Sequence, residues 1–222
     1  MSDTPERLQI AIVLFEGVDA QDAVGPYEVL RWLPGAEVAL VSSTPGPKRS
    51  ERGKLALLAD SALDAVPDPD LVVVPGGSGE LQARDDRALI EWLQRVHARS
   101  TWTASVCTGA LLLGAAGILR GKRATTHWTA LGELAQFGAS AVRERYVFDG
   151  KLVTSAGVSA GIDMALALAA RIAGPELAQA IQLGIEYDPA PPFDAGSPET
   201  CPQPIVERVR AAARFASARE AR

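Results

Sequence analysis

The sequence predicts an α/β domain built on a mainly parallel open sheet with helices on both faces, a flavodoxin-like sandwich. Three observations carry that expectation. Apolar, β-branched runs recur at 8–14, 37–41, 71–74 and 101–106, and near-continuous hydrophobic runs are what strands buried on both faces require. Segments with helical spacing separate several of these runs, the alternation that produces parallel crossovers. The stretch RERYVFDGKLVTS then places Asp149-Gly150 between two alternating runs, a hairpin signal that adds an antiparallel pair to the sheet.

In chain order, the run at 8–14 follows a mixed-charge start and reads as the first strand. A helix is expected over 26–32, opened by Pro26, whose fixed φ suits a first helical position. The stretch TPGPKRSERGK at 44–54 reads as a polar loop. Further helices are expected at 86–98, 108–119, 129–137, 161–172, 176–187 and 205–218. The segment 187–204 holds six prolines and reads as a tether for the last helix, a pocket cover or a dimer contact. With 222 residues and no stretch that separates two cores, one domain over 1–222 is expected.

Composition removes several functional classes. A net charge of −5 without a basic stretch lacks the footprint that neutralises phosphates, so nucleic acid is not an expected partner. No apolar run approaches the roughly 18 to 20 residues of a membrane span, and the N-terminus lacks the features of an export signal, so the expected location is cytoplasmic. Only two cysteines occur, Cys107 and Cys201, and each is judged as a thiol. No HExxH, CxxC or carboxylate cluster suggests a metal, and AGVSAGID lacks the glycines of a dinucleotide fingerprint, so no cofactor is expected.

The chemistry points to TWTASVCTGALLLGAAGILRGKRATTHW at 101–128, where an apolar strand runs into Cys107 and a helix follows at once. A nucleophile on such an elbow projects from the carboxyl end of a parallel strand, where open α/β sheets bind ligands. The helix N-terminus beside it lowers a thiol pKa, and thiolate is the reactive form. The same position also suits a buried cysteine that packs as a small hydrophobe. LVVVPGGSGE at 71–80 is a second buried strand, ending in a glycine pair that permits close backbone approach. The amides of Gly77 and Thr108 are candidate oxyanion donors.

PGGSG together with SVCTGALLLGAAGILRGKRATTHW resembles the ThiJ/PfpI superfamily, with its class I glutamine amidotransferase-like fold. FEGVDAQDAVGPYEVL, AGVSAGIDMALALAARIAG and QLGIEYDPAPPFDAGSPET extend the similarity over most of the chain, toward the members that hydrate isonitriles. The resemblance implies cofactor-free hydration of an isonitrile, R–N≡C, to an N-substituted formamide by a homodimer. It makes Cys107 the nucleophile, attacking the terminal carbon to give a thioimidate. Asp22 becomes the residue that handles protons, supplying one to the substrate nitrogen and taking one from water; an Asp before Gly25-Pro26 also suits a helix cap. Asp19 lies close enough to compete for that assignment, but the Asp22-x-x-Gly25-Pro26 spacing favours Asp22.

Thr108 carries over as an oxyanion amide and as a hydroxyl for the acid. Tyr187 and Val158 carry over as neighbours of the substrate pocket, where core packing and turn geometry explain them equally well. Thr108 stands where many relatives have histidine, which argues against a Cys-His mechanism. His97 and His127 read as surface or structural residues, and Cys201 as an incidental thiol. Two other functions remain open: glyoxalase or deglycase chemistry, and a stand-alone sensory domain related to AraC-type transcription regulators.

Overall fold

A computed structural model describes residues 7–51 and 53–220, with side chains as far as 213. The chain divides into two compact units, Met1–Ile185 and Glu186–Arg222. In the first, β1 (Leu8–Val13) leads through α1 (Ala20–Leu30) to β2 (Ala36–Ser42), then to the short strands β3 (Gly46–Arg49), β4 (Ala56–Ala59) and β5 (Ser61–Ala62). There follow β6 (Leu71–Val74), α2 (Glu80–Ala83), α3 (Arg87–Arg99), β7 (Trp102–Ser105) and α4 (Gly109–Ala115). The unit continues with β8 (Arg123–Ala124), a 3₁₀ segment at Leu131–Phe137, β9 (Ser140–Ala141), β10 (Tyr146–Asp149), β11 (Leu152–Ser155), α5 (Ala160–Ala173) and α6 (Pro175–Gly184). In the second unit, a turn closed by Cys201 N–H on Ser197 O (2.9 Å) precedes α7 (Gln203–Glu220).

Seven strands form the main sheet in the order β10-β11-β7-β6-β1-β2-β5, parallel except for β10 against β11. The mainly parallel α/β sheet is therefore as the sequence predicts. Ile10, Ile12, Leu71, Val72, Val73 and Ala104 are fully buried, because helices cover both faces. From β1 the chain steps to β2 on one side, then crosses to β6 on the other. Right-handed crossovers in opposite directions put α1 and α3 on opposite faces. The strand order thus reverses between β1 and β6, and the crevice at their carboxyl ends is where such sheets bind ligands.

Local elements depart from the sequence reading in instructive ways. Residues 44–54 are not simply a loop, since β3 pairs antiparallel with β4 in the register Lys48↔Leu57. The glycine and prolines at its start mask an edge pair, where a missing N–H is tolerated. Helix α1 begins six residues before Pro26, which lies inside it; Gly25, lacking Cβ, relieves the restriction a proline imposes on the residue before it. The 129–137 segment is a 3₁₀ turn, ended by Gly138 at φ 74°. The predicted hairpin forms, with Gly150-Lys151 as its two connecting residues and Gly150 at φ 64°, the positive φ that tight hairpin turns need.

Candidate active site

Four neighbouring strands, β11, β7, β6 and β1, deliver the site from their carboxyl ends. After β7 the backbone turns at Cys107 with φ 55°, a conformation that costs a non-glycine residue roughly 1–3 kcal/mol and persists only where its surroundings enforce it. Here Cys107 N–H donates to Ala156 O (3.1 Å), and Thr126 Oγ1 donates to Cys107 O (2.6 Å). The helix behind the elbow approaches β6 so closely that a Cβ on Gly109 would lie 2.0 Å from Val74 O. Cys107 is 7% exposed, and the backbone N–H groups of Thr108 and Val158 lie beside its sulfur and favour the thiolate.

Asp19 and Asp22 stand in different surroundings. Asp19 caps α1, with Oδ1 accepting from Gln21 N–H at 3.0 Å. Asp22, one turn on, is completely buried, and its Oδ2 accepts from Gly76 N–H at 2.9 Å. Its other oxygen, Oδ1, makes no hydrogen bond of ordinary geometry, and the Cys107 thiol lies beside the carboxyl. Burial, then the charge of Asp19, push Asp22 up to about 8, against the pull of Gly76 N–H and the thiol. At pH 7 this favours the protonated carboxyl.

Cys107 departs from expectation in the same direction. Burial and the neighbouring Asp22 raise its thiol pKa, outweighing the amides of Thr108 and Val158 that favour thiolate. The following helix has only seven residues, too little to offset burial on that scale. The pair at the elbow therefore rests with its protons on.

Three consecutive amides behind β6 each end on a different side chain. Gly76 N–H serves Asp22, Gly77 N–H reaches Thr108 Oγ1 (3.1 Å), and Ser78 N–H reaches Glu51 Oε2 (3.1 Å). The Gly77 amide, expected as an oxyanion donor, is thus engaged by the Thr108 hydroxyl. That hydroxyl, expected to bind the acid, bonds Gly77 instead. The glycines are required here: a Cβ would meet Thr108 N at 2.5 Å from Gly76 and Asp19 N at 2.3 Å from Gly77, whose φ is 133°.

The first unit brings together Asp22, Gly77, Cys107, Thr108 and Val158, whereas Tyr187 belongs to the second. Val158 contributes its amide to the sulfur from a strained φ of 33°, a backbone role that no side-chain pattern advertises. His127 also lies near: a Cβ on Gly157 would meet its Cδ2 at 2.4 Å. Its Nδ1 accepts from Thr129 N–H (3.3 Å), and burial lowers its pKa, so it is neutral. His97 bonds Thr103 Oγ1 (2.8 Å) at the opposite end of β7. Among the described residues, no group of three or more His, Cys, Asp or Glu is placed to hold a metal ion, and no helix is long and apolar enough to cross a membrane.

Comparison with known proteins places this geometry. The DJ-1/PfpI family model matches residues 8–171. An isonitrile hydratase from Pseudomonas putida is 44% identical over 203 residues, 91% of this chain and 89% of that protein. The crystal structure of a ThiJ/PfpI family protein from Pseudomonas syringae superposes with a TM-score of 0.91 at 36% identity, covering 97% of this chain and 91% of that one. The transcriptional regulator CdhR of Pseudomonas aeruginosa is 34% identical over 141 residues, 63% of this chain but 41% of the regulator. With its family model, its near full-length relative and its elbow cysteine in agreement, the chain belongs to the DJ-1/PfpI family.

Proposed function

We propose that this protein hydrates isonitriles to N-substituted formamides through a covalent thioimidate on Cys107. The observation that carries the reading is the buried Cys107–Asp22 pair, in a chain 44% identical to an isonitrile hydratase along nearly its whole length. An isonitrile carbon accepts both a nucleophile and a proton, and the pair offers a sulfur beside a carboxyl group that holds its proton at neutral pH.

Atom balance assigns the steps. In the first, an S–C bond forms at the terminal carbon while the Asp22 proton moves to that same carbon and the thiol proton replaces it on the carboxyl. The product is R–N=CH–S–Cys107. This refines the expectation from sequence, because the first proton goes to carbon and nitrogen is protonated only next. Water then adds across C=N, Asp22 giving a proton to nitrogen and taking one from the water. Finally the C–S bond breaks, the hydroxyl proton passes to sulfur, and R–NH–CHO leaves. Covalent catalysis divides one difficult hydration into these easier additions. The Thr108 and Val158 amides steady the sulfur wherever it carries negative charge.

The reading includes a homodimer, resting on the resemblance, and a cytoplasmic setting that suits a reduced nucleophilic thiol. Purified protein offered an aryl isonitrile, an alkyl isonitrile and methylglyoxal tests the function directly. Formamide from an isonitrile supports it; conversion of methylglyoxal alone replaces it with glyoxalase chemistry. Light scattering at about twice the chain mass supports the dimer.

A further inference from the structure

The strap that follows β3 takes no part in the chemistry above, yet it is laced into both loops that form the site. Gly17 N–H donates to Arg49 O (2.9 Å), Ser50 forms a β-bridge with Val18, and Glu51 N–H donates to Val18 O (3.0 Å). These contacts fix the loop that leads into α1 and its two aspartates. The Glu51 carboxylate then crosses to the other loop and accepts from Ser78 N–H. That amide is the third of the consecutive three whose first two orient Asp22 and Thr108. The two loops are also joined directly, by Asp19 N–H on Gly76 O (2.8 Å) and Gly79 N–H on Gly17 O (3.1 Å).

We propose that Glu51 is a positioning residue, which sets the Gly76–Ser78 turn and through it holds Asp22 and Thr108 in place over Cys107. A peptide turn is stiff, so anchoring its third amide restricts where the first two point. A carboxylate is the stronger anchor because hydrogen bonds to an ionised acceptor are roughly twice as strong as neutral ones. Glu51 has a second effect by charge. Beyond burial, the groups that bear on Asp22 are Asp19, the Gly76 amide, the Cys107 thiol and, least of them, Glu51, whose negative charge adds to the side that keeps the Asp22 proton on. The inference rests on the Cys107–Asp22 chemistry proposed above.

Glu51→Gln keeps an acceptor for Ser78 but removes the charge, whereas Glu51→Ala removes both. Two readouts separate the roles: the turnover of an aryl isonitrile at pH 7, and the pH profile of Cys107 alkylation by iodoacetamide, followed by mass spectrometry. Glu51→Ala is expected to lower kcat by about tenfold, the scale of one lost hydrogen bond to a charged group, and Glu51→Gln to recover most of it. Both variants should shift the alkylation profile, because removing the Glu51 charge lets Asp22 ionise at lower pH and the Asp22 charge acts on the Cys107 thiol. The proposal is overturned if the alkylation profiles of both variants superimpose on that of the parent protein, or if Glu51→Gln loses as much turnover as Glu51→Ala at equal thermal stability. Should the parent protein hydrate no isonitrile, the proposed function fails, and the alkylation profiles still decide the role of Glu51. If Glu51→Ala does not fold, Glu51→Gln carries that test alone.

Discussion

The two ends of β7 are both polar, but they use polarity in opposite ways. At the amino end, Thr103 Oγ1 meets His97 Nδ1 at 2.8 Å and Ser100 Oγ at 3.2 Å. The Lys151 ammonium bonds the carbonyls of His97, Ala98 and Ser100, closing the carboxyl terminus of α3. Donors and acceptors there satisfy one another, and the positive charge complements the helix dipole. At the carboxyl end, the Cys107 thiol and one oxygen of Asp22 are buried without such a closed network, and burial shifts both groups upward. Groups satisfied by their neighbours contribute stability; groups buried short of partners store reactivity.

Substitutions at each end break or sharpen that contrast. The largest effect is expected from Cys107→Ala, which removes the only sulfur at the elbow: isonitrile turnover should vanish while the unfolding midpoint is kept. Cys201→Ser, in the second unit, should leave turnover unchanged. Iodoacetamide with mass spectrometry checks the assignment, and preferential labelling of Cys201 with retained turnover would sink it.

Next in size is Asp22→Asn, which keeps shape and an acceptor for Gly76 but cannot transfer a proton. Turnover should fall by about 10²-fold or more, the scale of general acid catalysis. The same variant has a stability signature whose sign follows from linkage. The Asp22 pKa is about 8 in the folded protein against 3.8 for the unperturbed group, so the folded state binds its proton more tightly. The stability this provides is complete below about pH 4 and is lost progressively until the pH passes about 8. Asparagine does not ionise, so Asp22→Asn should match the parent protein near pH 4 and unfold at a higher temperature near pH 8. Thermal unfolding at the two pH values checks this, and an advantage that is the same at both would contradict a buried, protonated Asp22.

The smallest effect on turnover belongs to the amino end. Lys151→Met should lower stability by about 1–2 kcal/mol, the scale for removing a charged donor from helix carbonyls, and leave kcat unchanged. Urea unfolding beside the turnover assay measures both. A large fall in kcat with normal stability would erase the distinction between the two ends.

By itself the sequence determined the sheet and the elbow. Continuous apolar runs mark strands buried on both faces, and a strand meeting Cys107 and then a glycine-rich helix marks the turn; these are signals between residues close along the chain. The glycine pair at 76–77 was legible for the same reason, since only glycine permits such close backbone approach. Tertiary structure decided which groups are buried and where each amide points. Asp22 and Gly76 lie 54 positions apart, Glu51 and Ser78 27, and Gly77 and Thr108 31. The Asp22-x-x-Gly25-Pro26 spacing favours Asp22 over Asp19, but no local pattern reveals its burial, or that the Gly77 amide is taken while that of Val158 is directed at sulfur. Protonation state and donor direction depend on burial and on neighbours brought together through space, so they exist only once the strands are side by side.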